Sequence, residues 1–428
     1  MPSLKYNPIV LTLQGVNYLS SLPVGVTQPL PDPSTSFGAT KLSAMSEAYL
    51  FDGSTNQGTM HVKVESDAPF KKVRIRAYNR TGANDNRVKA SVAVSEVLSN
   101  NTNSNRYNPI INGSVDNSSW ELTKWAGVNE VTLPSATSSE PSVTVSDWVS
   151  IDSVASTDST KHVALIKYML DPSNGTVVTT TAYNLWRSAS AEPFFRVFDG
   201  KSTSGDNTET TVIPTEGFTG GMYWFSVEFE YTTDVTSVYT LGDSITAGGG
   251  GQVYGFDSWG LRAVNTVSTP ANPMVYTNGG MSGKNSKSFV DQFLREVAAG
   301  MIPNLVIMPA FTPNDGSPDA GSAAAMIANM QQVSAKCQEI GSKLLIWTGL
   351  PNNGYGSDTY RDVSNDWARD TNNQTNFSFD LLDWDLLVGT GTNPNRFKSG
   401  WETGDGIHPS LVAIQAMASD LENYLGTL

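Results

Sequence analysis

Cysteine is almost missing. The 428 residues hold one, Cys337, so no intrachain disulfide can form, and CxxC redox chemistry and cysteine-cluster zinc sites are excluded. Histidine is nearly as scarce. His61, His162 and His408 are the only three, a poor stock for a multi-histidine metal centre. Basic residues are few: 27 Lys plus Arg stand against 41 Asp plus Glu, a formal net charge of −14. Nucleic-acid binding relies on Lys and Arg to neutralise phosphates, so no nucleic-acid partner is expected. Charged residues of both signs make up only 16% of the chain, which argues against a long coiled coil. No apolar run approaches the roughly 20 residues that span a bilayer, so no membrane partner is expected. The first 25 residues offer only PIVLTL as an apolar stretch and lack a signal-peptide core. Cytoplasmic synthesis is the expectation. Extracellular release by lysis, or virion assembly, would leave no mark on such a sequence.

What is present suffices for substantial cores. Hydrophobic residues make up 39% of the chain, and its length predicts two or three domains. Up to about residue 235 the chain is rich in Ser, Thr, Asn and Val. Short alternating segments recur between turn clusters: TMHVKVESD (59–67), KKVRIRAYN (71–79), PSVTVSDWVS (141–150) and GMYWFSVEFEY (221–231). In the last, Tyr223, Phe225, Val227, Phe229 and Tyr231 share one face, and Trp224, Ser226, Glu228 and Glu230 the other. Period two with one apolar face predicts a half-buried strand. The reading is an irregular arm over 1–40 and an all-β sandwich or jelly-roll-like domain over 41–235. The Asn/Ser stretch 99–119 reads as a loop.

From residue 236 to 428 strands and helices alternate. SVYTLGDS, PMVYTN, NLVIMPAF and KLLIWTGLP are apolar strands. Phe289, Phe293, Leu294, Val297 and Met301 fall at helical spacing, as do Leu411, Ile414, Ala418, Leu421 and Leu425. Cys337 falls in a third helix, where a buried small side chain is expected. Continuous apolar strands joined by helices predict an α/β three-layer, flavodoxin-like domain with a parallel sheet. Ligands bind beyond the C-terminal ends of such strands.

The chemistry-bearing residues cluster at those ends. Leu241-Gly242-Asp243-Ser244-Ile245 places a serine hydroxyl at a strand-to-helix turn. Serine is a weak nucleophile and needs a base. Gly404-Asp405-Gly406-Ile407-His408-Pro409 places a histidine just before the last helix, with Pro409 suited to that helix's first turn. A carboxylate three residues upstream can fold back onto the imidazole N–H and fix its tautomer. Two more polar turns follow strands: Asn278-Gly279-Gly280-Met281-Ser282-Gly283 and Thr312-Pro313-Asn314-Asp315-Gly316. A glycine N–H and an asparagine amide there can donate to an oxyanion.

Taken in order, GDSI, NGGMSG, PND and DGIH resemble the four motif blocks of the SGNH/GDSL hydrolase superfamily, over about residues 236–428. The resemblance implies a serine esterase needing no metal or organic cofactor. It implies Ser244 as nucleophile, His408 as general base and acid, and Asp405 as the residue orienting His408. It further implies oxyanion donors at Ser244 N–H, Gly280 N–H and the Asn314 side chain. Thr312 departs from the glycine that usually opens the third block.

Other readings stand beside these. Ser244 in a Gly-rich turn can serve only as a helix cap, and Asp315 can serve only to form its turn. The glycines 248–251 lack the Lys-Ser/Thr ending of a P-loop and read as a flexible rim. Residues 314–321 lack the register of a calcium loop. His61 and His162 read as surface or structural residues. Trp120, Trp125, Trp148, Trp186 and Trp224 read as core residues before sugar platforms. The expected substrate is an O-acetylated carbohydrate, with a phage tail component as one setting and a glycan-binding or assembly role for the β domain. One alternative is a general short-chain carboxylesterase or lipase-like enzyme. The other is a catalytically inactive carbohydrate-binding or structural protein. A homo-oligomeric state is left open.

Overall fold

The structure is a computed structural model that describes residues 37–41, 58–79, 86–96, 108–134, 142–156, 159–172, 198–210, 225–250, 258–315, 320–352, 359–392 and 395–428. The arm up to residue 36, Trp186, Tyr223 and Trp224 lie outside these.

Seven principal strands build the first part: β1 (Phe37–Lys41), β2 (Gly58–Ser66), β3 (Phe70–Asn79), β4 (Asn86–Ser95), β5 (His162–Pro172), β6 (Phe198–Ser204) and β7 (Phe225–Tyr231). They form two antiparallel sheets. One runs β1–β7–β3, with the short strands Ser142–Val145 and Val149–Ser150 also paired to β3. The other runs β6–β2–β5–β4. The boundary expected at residue 40 falls inside β1, whose Phe37 pairs with Glu230. The described part of the 99–119 stretch is not all loop, because Ile110–Ile111 pairs with Ser114–Val115. Inward residues of both sheets, among them Val64, Ile75, Val92, Ile166 and Val227, form one apolar core. Phe225 stacks on Tyr168 with ring centroids 4.4 Å apart.

Strand β7 departs from the half-buried expectation, since both its faces are buried. Period two correctly separates its residues by face, but a protein surface rather than water covers the polar face. Five parallel strands form that second part: β8 (Thr236–Gly242), β9 (Met274–Gly280), β10 (Leu305–Pro309), β11 (Lys343–Trp347) and β12 (Phe379–Leu382). Their order is β9–β8–β10–β11–β12. Among the described residues, eight helices accompany them: α1 (Ser244–Ala247), α2 (Trp259–Val267), α3 (Ser286–Ala298), α4 (Ala320–Ile340), α5 (Thr359–Arg369), α6 (Thr371–Phe377), α7 (Trp384–Val388) and α8 (Leu411–Leu425). Alternate strand residues feed two cores. Leu241, Val306, Met308 and Ile346 pack with α3 and α4, and Val238, Ile307, Leu345 and Trp347 pack with α2 and α8. Burial on both faces explains the unbroken apolar strands.

The two parts meet through buried charge. Arg76 and Glu296 are fully buried. Arg76, on β3, pairs with Glu228 on β7. Its guanidinium also reaches Glu296 on α3 at 3.4 Å and donates to the Ala299 carbonyl at 2.7 Å. The Tyr78 hydroxyl donates to Glu296 at 3.0 Å. Burial lowers the Arg76 pKa, and Glu296 opposes that shift. Each charge is paired and hydrogen-bonded, the condition under which charges tolerate burial.

Candidate active site

The strand order reverses direction at β8: the chain leaves it for β9 on one side and returns to β10 on the other. A crevice opens at such a switch point, beyond the C-terminal strand ends. Gly242 ends β8, and Ser244 is the first residue of α1. Asp243 caps that helix, its carboxylate accepting the Ile245 N–H at 2.9 Å. The first N–H groups of a helix have no partner within it, so the Ser244 N–H sits at the electropositive end of α1.

Ser244, His408 and Asp405 come together. Ser244 Oγ lies 2.8 Å from His408 Nε2, and His408 Nδ1 lies 2.5 Å from Asp405 Oδ2. The other Asp405 oxygen accepts the N–H groups of Ile407 at 2.8 Å and His408 at 2.9 Å. Partial burial pushes the Asp405 carboxyl up. The bonds from the His408 ring and from the two N–H groups outweigh it and hold the carboxyl at about 2. An ionised Asp405 can only accept, so Nδ1 carries a proton, and in the neutral ring Nε2 presents a lone pair to the Ser244 hydroxyl. Glu402 shapes this loop by accepting the N–H groups of Gly404 at 2.6 Å and Gly406 at 2.9 Å. Pro409 lies outside the last helix: Ser410 is the N-cap and the helix begins at Leu411. Pro409 instead forms a bridge with Glu402 that closes the loop.

Asn314 stands on a short 3₁₀ turn, Pro313–Asp315, after β10. Its Nδ2 is buried without a hydrogen-bond partner. A buried donor left unpaired costs roughly 1–3 kcal/mol, and a substrate oxygen would satisfy it. Gly280 behaves otherwise. Its N–H donates to Asn278 Oδ1 at 2.9 Å, so the expected donor is committed within the chain. The cause is local: an Asn side chain readily bonds the N–H two residues on. Gly280 has a steric role instead, because a Cβ there would stand 2.6 Å from the Ala247 Cα of α1.

Other predicted residues resolve structurally. Asp315 does more than form its turn. It accepts the Ser286 N–H and hydroxyl, both at 2.7 Å, and the Tyr360 hydroxyl at 2.5 Å, tying the turn to α3 and α5. His61 is buried, and desolvation followed by the nearby Lys167 lowers its pKa to about 3. His162 opens β5 as expected. Trp125 is a core residue, whereas Trp148 and Trp120 lie under the cations of Arg74 and Lys167. Cys337 is buried in α4. Among the described residues, no group of His, Cys, Asp or Glu is placed to hold a metal ion. No described helix is long and apolar enough to cross a membrane.

Sequence reasoning missed the close packing of Gly249 and the contact that Thr312 makes. Within the glycine run, Gly249 and Gly250 pack closely rather than forming a loose rim. A Cβ on Gly249 would lie 2.7 Å from His408 Cδ2 and 2.8 Å from the Ser244 carbonyl oxygen. Thr312 Oγ1 donates to Asp243 Oδ2 at 2.6 Å. A run of glycines beside a nucleophile candidate was the available signal for the first; for the second it was the departure from the usual glycine, which marked the position without showing what its hydroxyl touches.

Residues 238–421 match the family of GDSL-like lipases and acylhydrolases. Similar solved structures include an acetylxylan esterase from Geobacillus stearothermophilus, 15% identical, TM-score 0.37, covering 45% of this chain and 94% of the other. A lipase/acylhydrolase from Enterococcus faecalis is 19% identical, TM-score 0.36, covering 45% and 96%. A GDSL-like lipase from Bacteroides thetaiotaomicron is 18% identical, TM-score 0.35, covering 45% and 88%. No curated protein matches the chain.

Proposed function

From the membership of residues 238–421 in the GDSL-type lipase and esterase family, and the ester-hydrolase activity that goes with it, we propose a carboxylesterase that works through an acyl-enzyme on Ser244. The observation carrying this reading is the unbroken chain of bonds from Ser244 Oγ to His408 Nε2 and from His408 Nδ1 to Asp405. Ser244 Oγ attacks the acyl carbon while His408 Nε2 takes its proton. The carbonyl oxygen gains the negative charge. Ser244 N–H and Asn314 Nδ2 donate to it. Collapse breaks the bond to the alcohol oxygen, which leaves with the proton from His408. Water then attacks the acyl carbon, again giving a proton to His408. The acid departs and Ser244 regains its hydrogen. Asp405 stays ionised and stabilises the imidazolium at each stage.

A general ester hydrolase on short acyl chains is the substrate reading preferred. Deacetylation of a polysaccharide, and a place in a phage tail, are narrower proposals. One experiment separates them: rates on aryl esters of increasing acyl length, beside acetate release from acetylated polysaccharides, for wild type and Ser244→Ala. Aryl ester cleavage alone supports the general reading. Faster acetate release from a polysaccharide supports the narrower one. Activity that survives in Ser244→Ala contradicts both.

A further inference from the structure

The GDSL pattern puts glycine where this chain has Thr312, and the side chain found there is fully buried. Its hydroxyl faces two ways. Oγ1 donates to Asp243 Oδ2 at 2.6 Å and accepts the Asn314 N–H at 3.3 Å. Asp243, also fully buried, uses its other oxygen to hold the Ile245 N–H at 2.9 Å, and its carbonyl accepts the Ala247 N–H at 2.9 Å. One hydroxyl therefore links the turn that carries Ser244 to the turn that carries Asn314. Glycine has no atom to make that link.

We propose that Thr312 is a positioning residue of this hydrolase, whose hydroxyl sets the placement of the Asn314 amide relative to Ser244. The inference rests on the esterase reading above. Thr312 touches no reacting atom; it acts through Asp243 and the Asn314 backbone. Burial pushes the Asp243 carboxyl up, while the Thr312 hydroxyl and the Ile245 N–H oppose that push. Without the hydroxyl, one buried carboxylate oxygen loses its donor, and the link between the two turns is broken. A carboxylate in that position turns toward another donor or takes a proton. Either change loosens the cap of α1 and the turn after β10 together. The oxyanion forms between those two elements, so the loss falls on the transition state more than on the bound ester.

The test uses the full chain and p-nitrophenyl acetate. Thr312→Val keeps the shape and removes the hydroxyl, and Thr312→Ser keeps the hydroxyl and removes the methyl. Thr312→Val is expected to lower kcat by about 10- to 100-fold with KM changed by less than about threefold. Thr312→Ser is expected to stay within about threefold of wild type in both. If Thr312→Val does not fold, Thr312→Gly, the residue the family pattern carries, is expected to show the same loss of kcat. A kcat near wild type in the variant lacking the hydroxyl overturns the inference. So does an equal loss in Thr312→Ser, because packing rather than the hydroxyl would then matter. Wild type that neither cleaves the ester nor reacts with an alkyl fluorophosphonate removes the esterase reading itself. An active wild type with an indifferent Thr312→Val removes this inference alone.

Discussion

Replacing Gly249 with alanine adds one methyl at a point where the site has no room. The new Cβ would meet His408 Cδ2 at 2.7 Å and the Ser244 carbonyl oxygen at 2.8 Å. Carbon atoms settle at about 3.5–4.0 Å, so the imidazole contact is short by roughly 1 Å. The Ser244 carbonyl cannot give way easily, because it accepts the Gly249 N–H at 2.7 Å. The imidazole must yield instead. A shift of about 1 Å stretches the 2.8 Å bond between Ser244 Oγ and His408 Nε2 beyond hydrogen-bond range. Misplacement on that scale costs on the order of 100-fold in rate. The backbone of Gly249 does not adopt a left-handed conformation, so the effect is steric. Overpacking costs about 1–3 kcal/mol, and alanine returns about 0.4–1 kcal/mol by restricting the unfolded chain. The expected signature is a large loss of kcat/KM on a short-chain aryl ester with a small fall in Tm. A Gly249→Ala variant within threefold of wild type in kcat/KM would refute the reasoning.

Asn314→Ala removes the amide proposed to donate to the oxyanion and is expected to lower kcat on an aryl ester by about 10²–10³-fold. It should leave Tm unchanged or raised, since a buried unpaired amide is removed with it. Asp405→Asn should lower kcat by as much as about 10⁴-fold through loss of the correct tautomer. The Asp405 carboxyl is held at about 2 in the folded chain, below its ordinary unfolded value. Its contribution to stability is therefore complete above about pH 4 and lost as pH falls towards 2. The Tm difference between wild type and Asp405→Asn should shrink as pH falls below 4, as thermal scans can show. Glu296→Ala leaves the buried Arg76 short of a partner and should cost about 3–5 kcal/mol. Urea titration would read this as a lower midpoint, and an unchanged midpoint would mean that the junction is not held by this network.

The candidate catalytic constellation was legible in the sequence because its parts are local. A serine after an apolar strand, a DxxH before an amphipathic helix, and an asparagine in a strand-end turn each declare their place on a parallel sheet. The structure brings Ser244, His408 and Asp405 into one chain of bonds. Contacts between distant loops were not legible. Nothing in Thr312 announces Asp243, 69 residues earlier. A glycine has no side chain to signal what it touches, so Gly249 read as a rim. Gly280 was a sound place to look for an N–H, but its neighbour Asn278 already occupies that donor. Periodicity sorted β7 into two faces and could not say that the polar one would be buried as well. Strand β12 escaped notice because four residues, Phe379–Leu382, carry too little pattern to stand apart from a short apolar run.

The central claim is that Ser244 is the nucleophile. Its most direct test is to treat the full chain with an alkyl fluorophosphonate, digest it, and map the adduct by mass spectrometry. The account predicts one modified peptide, with the phosphonyl group on Ser244 and hydrolysis of an aryl ester abolished in step with labelling. Labelling at another serine with matching loss of activity, or full activity with Ser244 completely modified, would contradict it.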